Sequence, residues 1–180
     1  YYASNYKSAD NYSADRAKAA TDNINSASGK FSFVSESGEA YKINFDLKVI
    51  DETDVSESNK HSVADNSSEN SFSEISALGM VATYGEAGGV AVDGQDIYVL
   101  GGDVLKQVGV SQLANDRHEV LHTLGAGHGA LGKTAKNESD AKVSPSIIQG
   151  IFKHAGKRDG NSTLDAGGNK KTALAGYKNG

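Results

Sequence analysis

The sequence predicts one mixed α+β domain, because a run of short strand patterns lies between amphipathic helix patterns along a chain of 180 residues. The clearest strand is predicted at 41–50, where every second residue is large and apolar: Ile43, Phe45, Leu47 and Val49. The clearest helix is predicted at 111–124, with an apolar stripe at helical spacing: Leu113, Val120, Leu121 and Leu124. A chain of this length can bury a core without covalent cross-links, so we expect a single domain over 1–180.

The composition narrows the classes of protein to which this chain can belong. It contains no cysteine, so any bound metal must use histidine nitrogen or carboxylate oxygen rather than thiolate. The net charge is -5 and lysine and arginine form no cluster, which argues against nucleic acid as a partner. No apolar run is long enough to cross a bilayer, so we expect no membrane partner.

Two further helices carry sequence signals for their first residues. A helix is predicted at 13–25, with Ser13 as its N-cap and with small or branched apolar residues on one face: Ala17, Ala20 and Ile24. Another is predicted from Pro145 to about Gly156, with Ser144 as its N-cap, because proline suits the first helical position. Its apolar residues again recur at helical spacing: Ile147, Ile148, Ile151 and Phe152.

The strand patterns add up to a sheet of about five strands. The run at 31–34 and the strand at 41–50 predict a hairpin across a Ser37-Gly38 turn. Three more strands are predicted from short β-prone runs: 80–84, 89–92 and 97–100. The last two are joined through Asp93-Gly94, a dipeptide typical of tight hairpin turns.

Three stretches are predicted to lie outside the core. Residues 51–71 are acidic and serine-rich and should form a long surface segment. Residues after Gly156 are rich in glycine, asparagine and lysine, which predicts a loosely packed tail. The chain starts at Tyr1 without an initiator methionine or a signal peptide, so we interpret it as a processed product or an excised fragment.

The candidate functional residues lie at the end of the helix predicted at 111–124. From His118 to His128 the sequence reads HEVLHTLGAGH, which contains H-E-x-x-H followed by x-x-G-x-x-H. Side chains four residues apart project from the same helix face, so His118 and His122 can reach one metal ion. Gly125 can take the positive φ that turns the chain and brings His128 to the same ion. The motif therefore predicts a metal site with three histidine ligands.

The residue types in this motif also predict the chemistry. Three neutral histidines leave Zn2+ its full charge and an open fourth position, which is typical of catalytic rather than structural zinc sites. Glu119 lies about 100° of helix rotation from His118, so it points beside the ion and should act as general base toward an activated water. A chance pattern on an amphipathic helix is the alternative, and the extra glycine and third histidine argue against it.

These residues make the chain resemble the metzincin clan of zinc metallopeptidases. The resemblance implies an upper subdomain over 1–125 with a twisted, mostly parallel sheet, an antiparallel edge strand and the active-site helix. It also implies a smaller lower subdomain over 126–180 that contains a helix. In the clan the edge strand, expected here at 89–92, aligns an extended substrate by β-pairing.

The chain departs from the clan at the turn below the metal, which carries a methionine in clan members. The only methionine here, Met80, precedes the motif. The best substitute is 144–148, where Ile148 would provide the apolar floor of the site. A tight turn there excludes a helix that begins at Pro145, so the two interpretations compete. Gly150 stands where some members have a tyrosine ligand, so no tyrosine ligand is expected.

The leading prediction is a secreted, monomeric zinc metalloendopeptidase that cleaves an extended segment of a protein or peptide. One alternative is a catalytically inactive module that holds zinc and binds a partner, since the Met-turn is missing. Another is a peptidase toxin domain of a larger exported protein, which would explain the abrupt N-terminus.

Overall fold

The structure, a computed structural model, describes residues 2–3, 14–34, 40–51, 70–92, 96–158 and 177–179. The strands, in chain order, are β1 (Tyr2–Ala3), β2 (Phe31–Val34), β3 (Ala40–Lys42), β4 (Ile50–Asp51), β5 (Ser71–Ile75), β6 (Gly89–Val92), β7 (Asp96–Leu100) and β8 (Tyr177–Asn179). The helices are α1 (Ala14–Asn25), α2 (Ala77–Tyr84), α3 (Gly102–Gln107), α4 (Gln112–Thr123), α5 (His128–Leu131) and α6 (Pro145–Arg158). This confirms the predicted mixed α+β class.

The larger sheet contains five strands in the order β4-β1-β5-β7-β6. The first four strands run parallel, and β6 pairs antiparallel with β7 at the edge. The hairpin of β6 and β7 is the one predicted from sequence, although its turn lies outside the described residues. Strand β5 was missed, because its sequence SFSEI looks like the polar segment that precedes it. In the sheet Phe72, Ser73 and Glu74 are all buried, so the polar residues of β5 have partners inside the protein.

The predicted hairpin of β2 and β3 forms, but it does not join the larger sheet. The two strands pair antiparallel, with Ser32 opposite Lys42, and β8 pairs with the other edge of β2. They make a separate three-stranded sheet in the order β3-β2-β8. The Ser37-Gly38 turn lies outside the described residues. The prediction of one sheet that includes this hairpin is therefore wrong.

The long strand predicted at 41–50 is also shorter than expected, because β3 ends at Lys42. Beyond it, side chains at the end of α1 and in the turn after it replace a neighbouring strand as hydrogen-bond partners. The Asn25 amide donates to the Leu47 carbonyl at 2.8 Å and accepts from the Leu47 amide at 2.9 Å. The Ser28 hydroxyl pairs in the same way with the backbone of Phe45. The predicted alternation of buried and exposed side chains is confirmed, since residues 43–49 alternate between half-buried and exposed.

The strand predicted at 80–84 is wrong, because these residues belong to helix α2. The hydroxyl of Ser76 accepts a hydrogen bond from the backbone N–H of Gly79 at 3.1 Å and caps the helix. Met80 is fully buried, whereas Leu78 and Val81 are exposed. The segment is therefore helical despite its β propensity, with a capped first turn and one fully buried side chain.

Helices α1 and α4 pack together and share a buried cluster with the larger sheet. The predicted apolar face of α1 is confirmed, and Ser13 lies outside the described residues. The cluster joins the two helices to β5 and β7 through residues that are fully buried: Ala17, Ala20, Ile24, Phe72, Ile97, Val99, Ala114, Val120 and Leu121. Burying each of the larger side chains contributes roughly 1.5–3 kcal/mol. The packing fixes α4, and with it the candidate site, against the sheet.

Helix α6 begins at Pro145, which decides between the two interpretations of this region. The Ser144 hydroxyl accepts a hydrogen bond from the Ile147 amide at 3.4 Å, as an N-cap does. The predicted helix is confirmed, and the tight turn proposed for 144–148 is wrong. At Gly150 an added Cβ would lie 3.1 Å from the Cβ of Ala130, so the glycine permits close packing of α6 on α5. Among the described residues, no helix is long and apolar enough to span a membrane.

Candidate metal centre

Helix α4 presents two of the predicted ligands from one face. The Ser111 hydroxyl caps the helix by accepting from the Ala114 amide, so α4 starts where the sequence predicted. His118 and His122 are one turn apart, and their Nε2 atoms lie 3.0 Å from each other. Two nitrogens bound to one tetrahedral zinc ion would lie roughly 3.3 Å apart. The helix therefore holds the two rings close to the spacing that a shared ion requires.

The turn after α4 has the hydrogen bonds of a Schellman motif. The Gly125 amide donates to the His122 carbonyl at 2.9 Å, and the Ala126 amide donates to the Leu121 carbonyl at 3.0 Å. Gly125 has φ of 100°, a conformation that residues with a Cβ rarely adopt. The predicted role of Gly125 is confirmed, since this residue turns the chain away from the axis of α4.

His128 opens the short helix α5 and completes the cluster. Its ring centroid lies 4.6 Å from that of His122 and 5.6 Å from that of His118. One nitrogen from each of the three rings can be chosen so that all three atoms lie within 4.8 Å of one another. The three predicted ligands are therefore brought together, close enough to bind one metal ion.

The environment keeps two of these rings in the neutral form that binds metals. Burial, with smaller contributions from His122 and His128, lowers the pKa of His118 to about 4. Burial also lowers the pKa of His122. His122 Nδ1 lies 2.7 Å from the carbonyl oxygen of Ala126. Because a carbonyl only accepts, Nδ1 carries the proton and the Nε2 lone pair is left for a ligand.

This arrangement fits a divalent cation with affinity for imidazole. The hydrogen bond to Ala126 is the outer contact that usually orients a metal-binding histidine, and the Schellman turn supplies it. His118 Nδ1 is buried and has no hydrogen-bond partner among the described residues, so His118 lacks the equivalent support. The donor set of three imidazoles without thiolate is one that zinc accepts.

Glu119 lies in the same cavity as the three histidines. Its side chain is 5% exposed. Burial, with a smaller contribution from the negative charge of Asp116, raises the pKa of Glu119 to about 8. A buried carboxyl group with a raised pKa beside a set of metal ligands is typical of a functional site.

Sequence reasoning missed the residues that bring β6 close to Glu119. An added Cβ at Gly89 would lie 2.7 Å from Glu119 Cγ, and one at Gly88 would lie 2.6 Å from Asn115 Oδ1. The Asn115 amide also donates to the Gly88 carbonyl at 3.2 Å. Glycine at both positions permits the edge strand to approach α4, and the paired glycines were the available signal.

A second group of polar residues holds the other side of α4. Arg16 on α1 donates to both carboxylate oxygens of Asp116, with Nε–Oδ2 and Nη2–Oδ1 distances of 2.9 and 2.6 Å. It also forms an ion pair with Glu74 on β5 and donates to the Leu100 carbonyl at 2.9 Å. All three charged side chains are buried. This cluster links α1, β5 and α4 two residues before His118, and its residues were not predicted to interact.

Comparison with known proteins gives no significant match to any protein-family model, curated protein or solved structure.

Proposed function

We propose that this chain is a zinc-dependent endopeptidase. The observation that carries the proposal is the convergence of His118, His122 and His128 in one cavity with the carboxyl group of Glu119. The three imidazoles would hold the ion. When bound, zinc would polarise a peptide carbonyl, make a water molecule more acidic and, as a cation, favour the ionised form of Glu119.

Glu119 is the residue that moves protons in this proposal. As general base, its carboxylate takes a proton from the attacking water at one oxygen and then gives that proton to the leaving amine. The burial of Glu119 supports this role, because a carboxylate with few competing partners is a stronger base than one in bulk water. His122, oriented by the Ala126 carbonyl, keeps its Nε2 lone pair directed at the same space.

The edge strand supports an extended peptide as the substrate. Strand β6 pairs with β7 on one side and is the last strand of the larger sheet on the other. Gly89, Val90 and Ala91 line the same cavity as the histidines. A peptide that added itself to β6 as a further strand would pass beside Glu119, which is the geometry that cleavage within a chain needs.

The proposal includes a metzincin-like fold. It is supported by the extended motif on α4, the Schellman turn at Gly125 and an antiparallel strand at the edge of a parallel sheet. We place the boundary between upper and lower subdomains at Gly125, as the resemblance implies. Secretion and a monomeric state stay predictions.

A second candidate function is a zinc-holding binding module without catalysis. The start of α6 at Pro145 favours it, because an ordinary helix occupies the place where the clan has its Met-turn. The two candidates share the metal site and differ only in turnover.

The test is hydrolysis of an unstructured protein by zinc-loaded wild type and by Glu119→Ala, each with its zinc content measured. Endopeptidase function predicts equal zinc and a rate about 10²–10⁴-fold lower in the variant, the range typical of a lost general base. Glu86→Ala, which removes an exposed carboxylate near the site, is the matched control and should keep full activity. Zinc binding by the wild type without any cleavage would reject the peptidase and support the binding module.

A further inference from the structure

Two cavities meet at the candidate metal centre. The first, which we call the histidine cavity, measures about 510 Å³ and is lined by the three histidines and by β6. The second, the apolar cavity, measures about 670 Å³ and lies between α2 and α3, with walls that include Met80, Val81, Val104, Leu105 and Val108. Four residues line both cavities: Gly89, His118, Glu119 and Lys133. Of these shared residues, Lys133 carries the only ammonium group.

The backbone fixes Lys133 relative to the ligand His128. Helix α5 begins at His128, and Leu131 in the same turn is buried. The Gly132 amide donates to the His128 carbonyl at 2.8 Å, and Gly132 has φ of 81°, which reverses the chain directly before Lys133. One helical turn and one glycine thus connect a metal ligand to the lysine at the junction of the cavities.

Lys133 places a cation at the junction of the two cavities. Its side chain is exposed, and among the described residues it forms no ion pair, in contrast to Arg16, Lys18 and Lys48. The other titratable groups on these cavities are Glu119 and His118 on both, His122 and His128 on the histidine cavity, and Glu86 and Lys136 on the apolar cavity. An unpaired ammonium group at the rim of an apolar cavity attracts a carboxylate from a ligand.

We propose that Lys133 is a specificity-determining residue that selects substrates with a carboxylate at the position entering the apolar cavity. The carboxylate is either the side chain of an acidic residue or the C-terminal carboxylate of a peptide, and the chemistry of recognition is the same. The apolar walls contact the methylene groups of that residue or the side chain next to it. The inference rests on the proposed function for the peptide nature of the ligand.

The experiment uses four fluorescent peptides of alanine and leucine that contain one glutamate or one glutamine and end in a carboxylate or an amide. Binding is measured first with metal-free protein, because a zinc ion would itself attract carboxylates. We expect wild type to bind at least one carboxylate peptide about tenfold more tightly than its amide partner. The pair that shows the difference identifies the source of the carboxylate. The difference should shrink at high salt, since Lys133 is exposed.

Variants assign the preference to one side chain. Lys133→Ala should abolish the tenfold difference and Lys133→Glu should reverse it. Lys142→Ala, at an exposed lysine that lines neither cavity, should keep it. Equal binding of all four peptides by wild type, or a preference that survives in Lys133→Ala, overturns the proposal. Zinc-loaded wild type is then assayed for cleavage. Preferential binding without cleavage rejects the endopeptidase and leaves Lys133 as the selector of an anionic ligand.

Discussion

Helix α4 carries two clusters of buried polar groups that differ in their hydrogen bonding. In the first, the Arg16 guanidinium is bonded to the carboxylates of Asp116 and Glu74 and to a carbonyl. In the second, His118 Nδ1 has no partner among the described residues, and Glu119 has a pKa raised by burial. Because buried polar groups are normally paired, the first cluster is satisfied by the fold itself, whereas the second has histidine nitrogens placed closely enough to bind a metal ion.

The largest effect predicted from this comparison is on the free energy of unfolding, when the charged groups around Arg16 lose their pairing. Arg16→Met leaves two buried carboxylates, Asp116 and Glu74, without their counter-charge. Losing one partner of a buried ion pair costs about 3–5 kcal/mol of unfolding free energy. Urea denaturation of the metal-free protein measures this loss. Lys18→Met is the control, since Lys18 and Asp22 form an exposed pair and its removal should change little. Similar small losses in both variants would contradict the assignment of Arg16 to the core.

The histidine cluster was predictable from sequence because its contacts are local. The spacing of His118 and His122 follows from the helical repeat, and the turn at Gly125 follows from a cap rule. All the residues concerned lie in one short stretch, so no knowledge of the remaining chain was needed. The same holds for Ser144 and Pro145, which marked the start of α6 correctly.

The missed features all depend on residues distant in sequence. Arg16 and Asp116 are 100 positions apart, and the sequence around either residue does not predict a contact with the other. Strand β5 was missed because its residues are mostly polar. The residues that pair with its polar side chains, among them Arg16, lie elsewhere in the chain. The strand at 41–50 stops early because Asn25 occupies the backbone groups that a neighbouring strand would use. Patterns within a segment do not contain such tertiary information.

The second prediction concerns Glu119, in the histidine cluster, and the pH dependence of protein stability. In metal-free protein, burial raises the pKa of Glu119 from 4.5 to about 8. Between these values the folded protein holds a proton that the unfolded chain has released, so stability falls as the pH rises and levels off above pH 8. Glu119→Gln has no such proton. It should therefore gain stability relative to wild type as the pH rises between these values, by up to about 1.4 kcal/mol per pH unit.

Thermal melting of metal-free wild type and Glu119→Gln between pH 4.5 and pH 9 tests this difference. The two curves should nearly coincide at the acid end and separate toward the alkaline end. Glu86→Gln, at an exposed glutamate, should follow the wild type throughout. Parallel curves for Glu119→Gln and wild type would show that Glu119 ionises as freely in the fold as in the unfolded chain. The contrast between the two clusters would then be lost.

The smallest predicted effect is on the free energy of unfolding, when a buried arginine loses one of its hydrogen-bond acceptors. Arg117 on α4 is fully buried and donates from Nη1 to the Asn23 side chain at 2.8 Å. Its other donors reach the backbone carbonyls of the segment before α6: Glu138, Asp140 and Ala141. Asn23→Ala removes one acceptor and leaves these carbonyls in place. We expect a loss of about 1–2 kcal/mol in urea denaturation, the usual cost of one unpaired buried donor.

Asp22→Ala, at an exposed neighbour on α1, is the control for the loss of a polar side chain from the same helix. A loss for Asn23→Ala as large as that for Arg16→Met would mean that Arg117 depends mainly on a side chain. No loss would mean that the three carbonyls satisfy the guanidinium without help. An intermediate value would show that Arg117, like Arg16, is a buried cation whose partners are supplied by the fold. It would also show that the backbone carbonyls, which are most of the partners of Arg117, keep it stable when one side-chain partner is lost. The partners of Arg16 are instead mostly carboxylates.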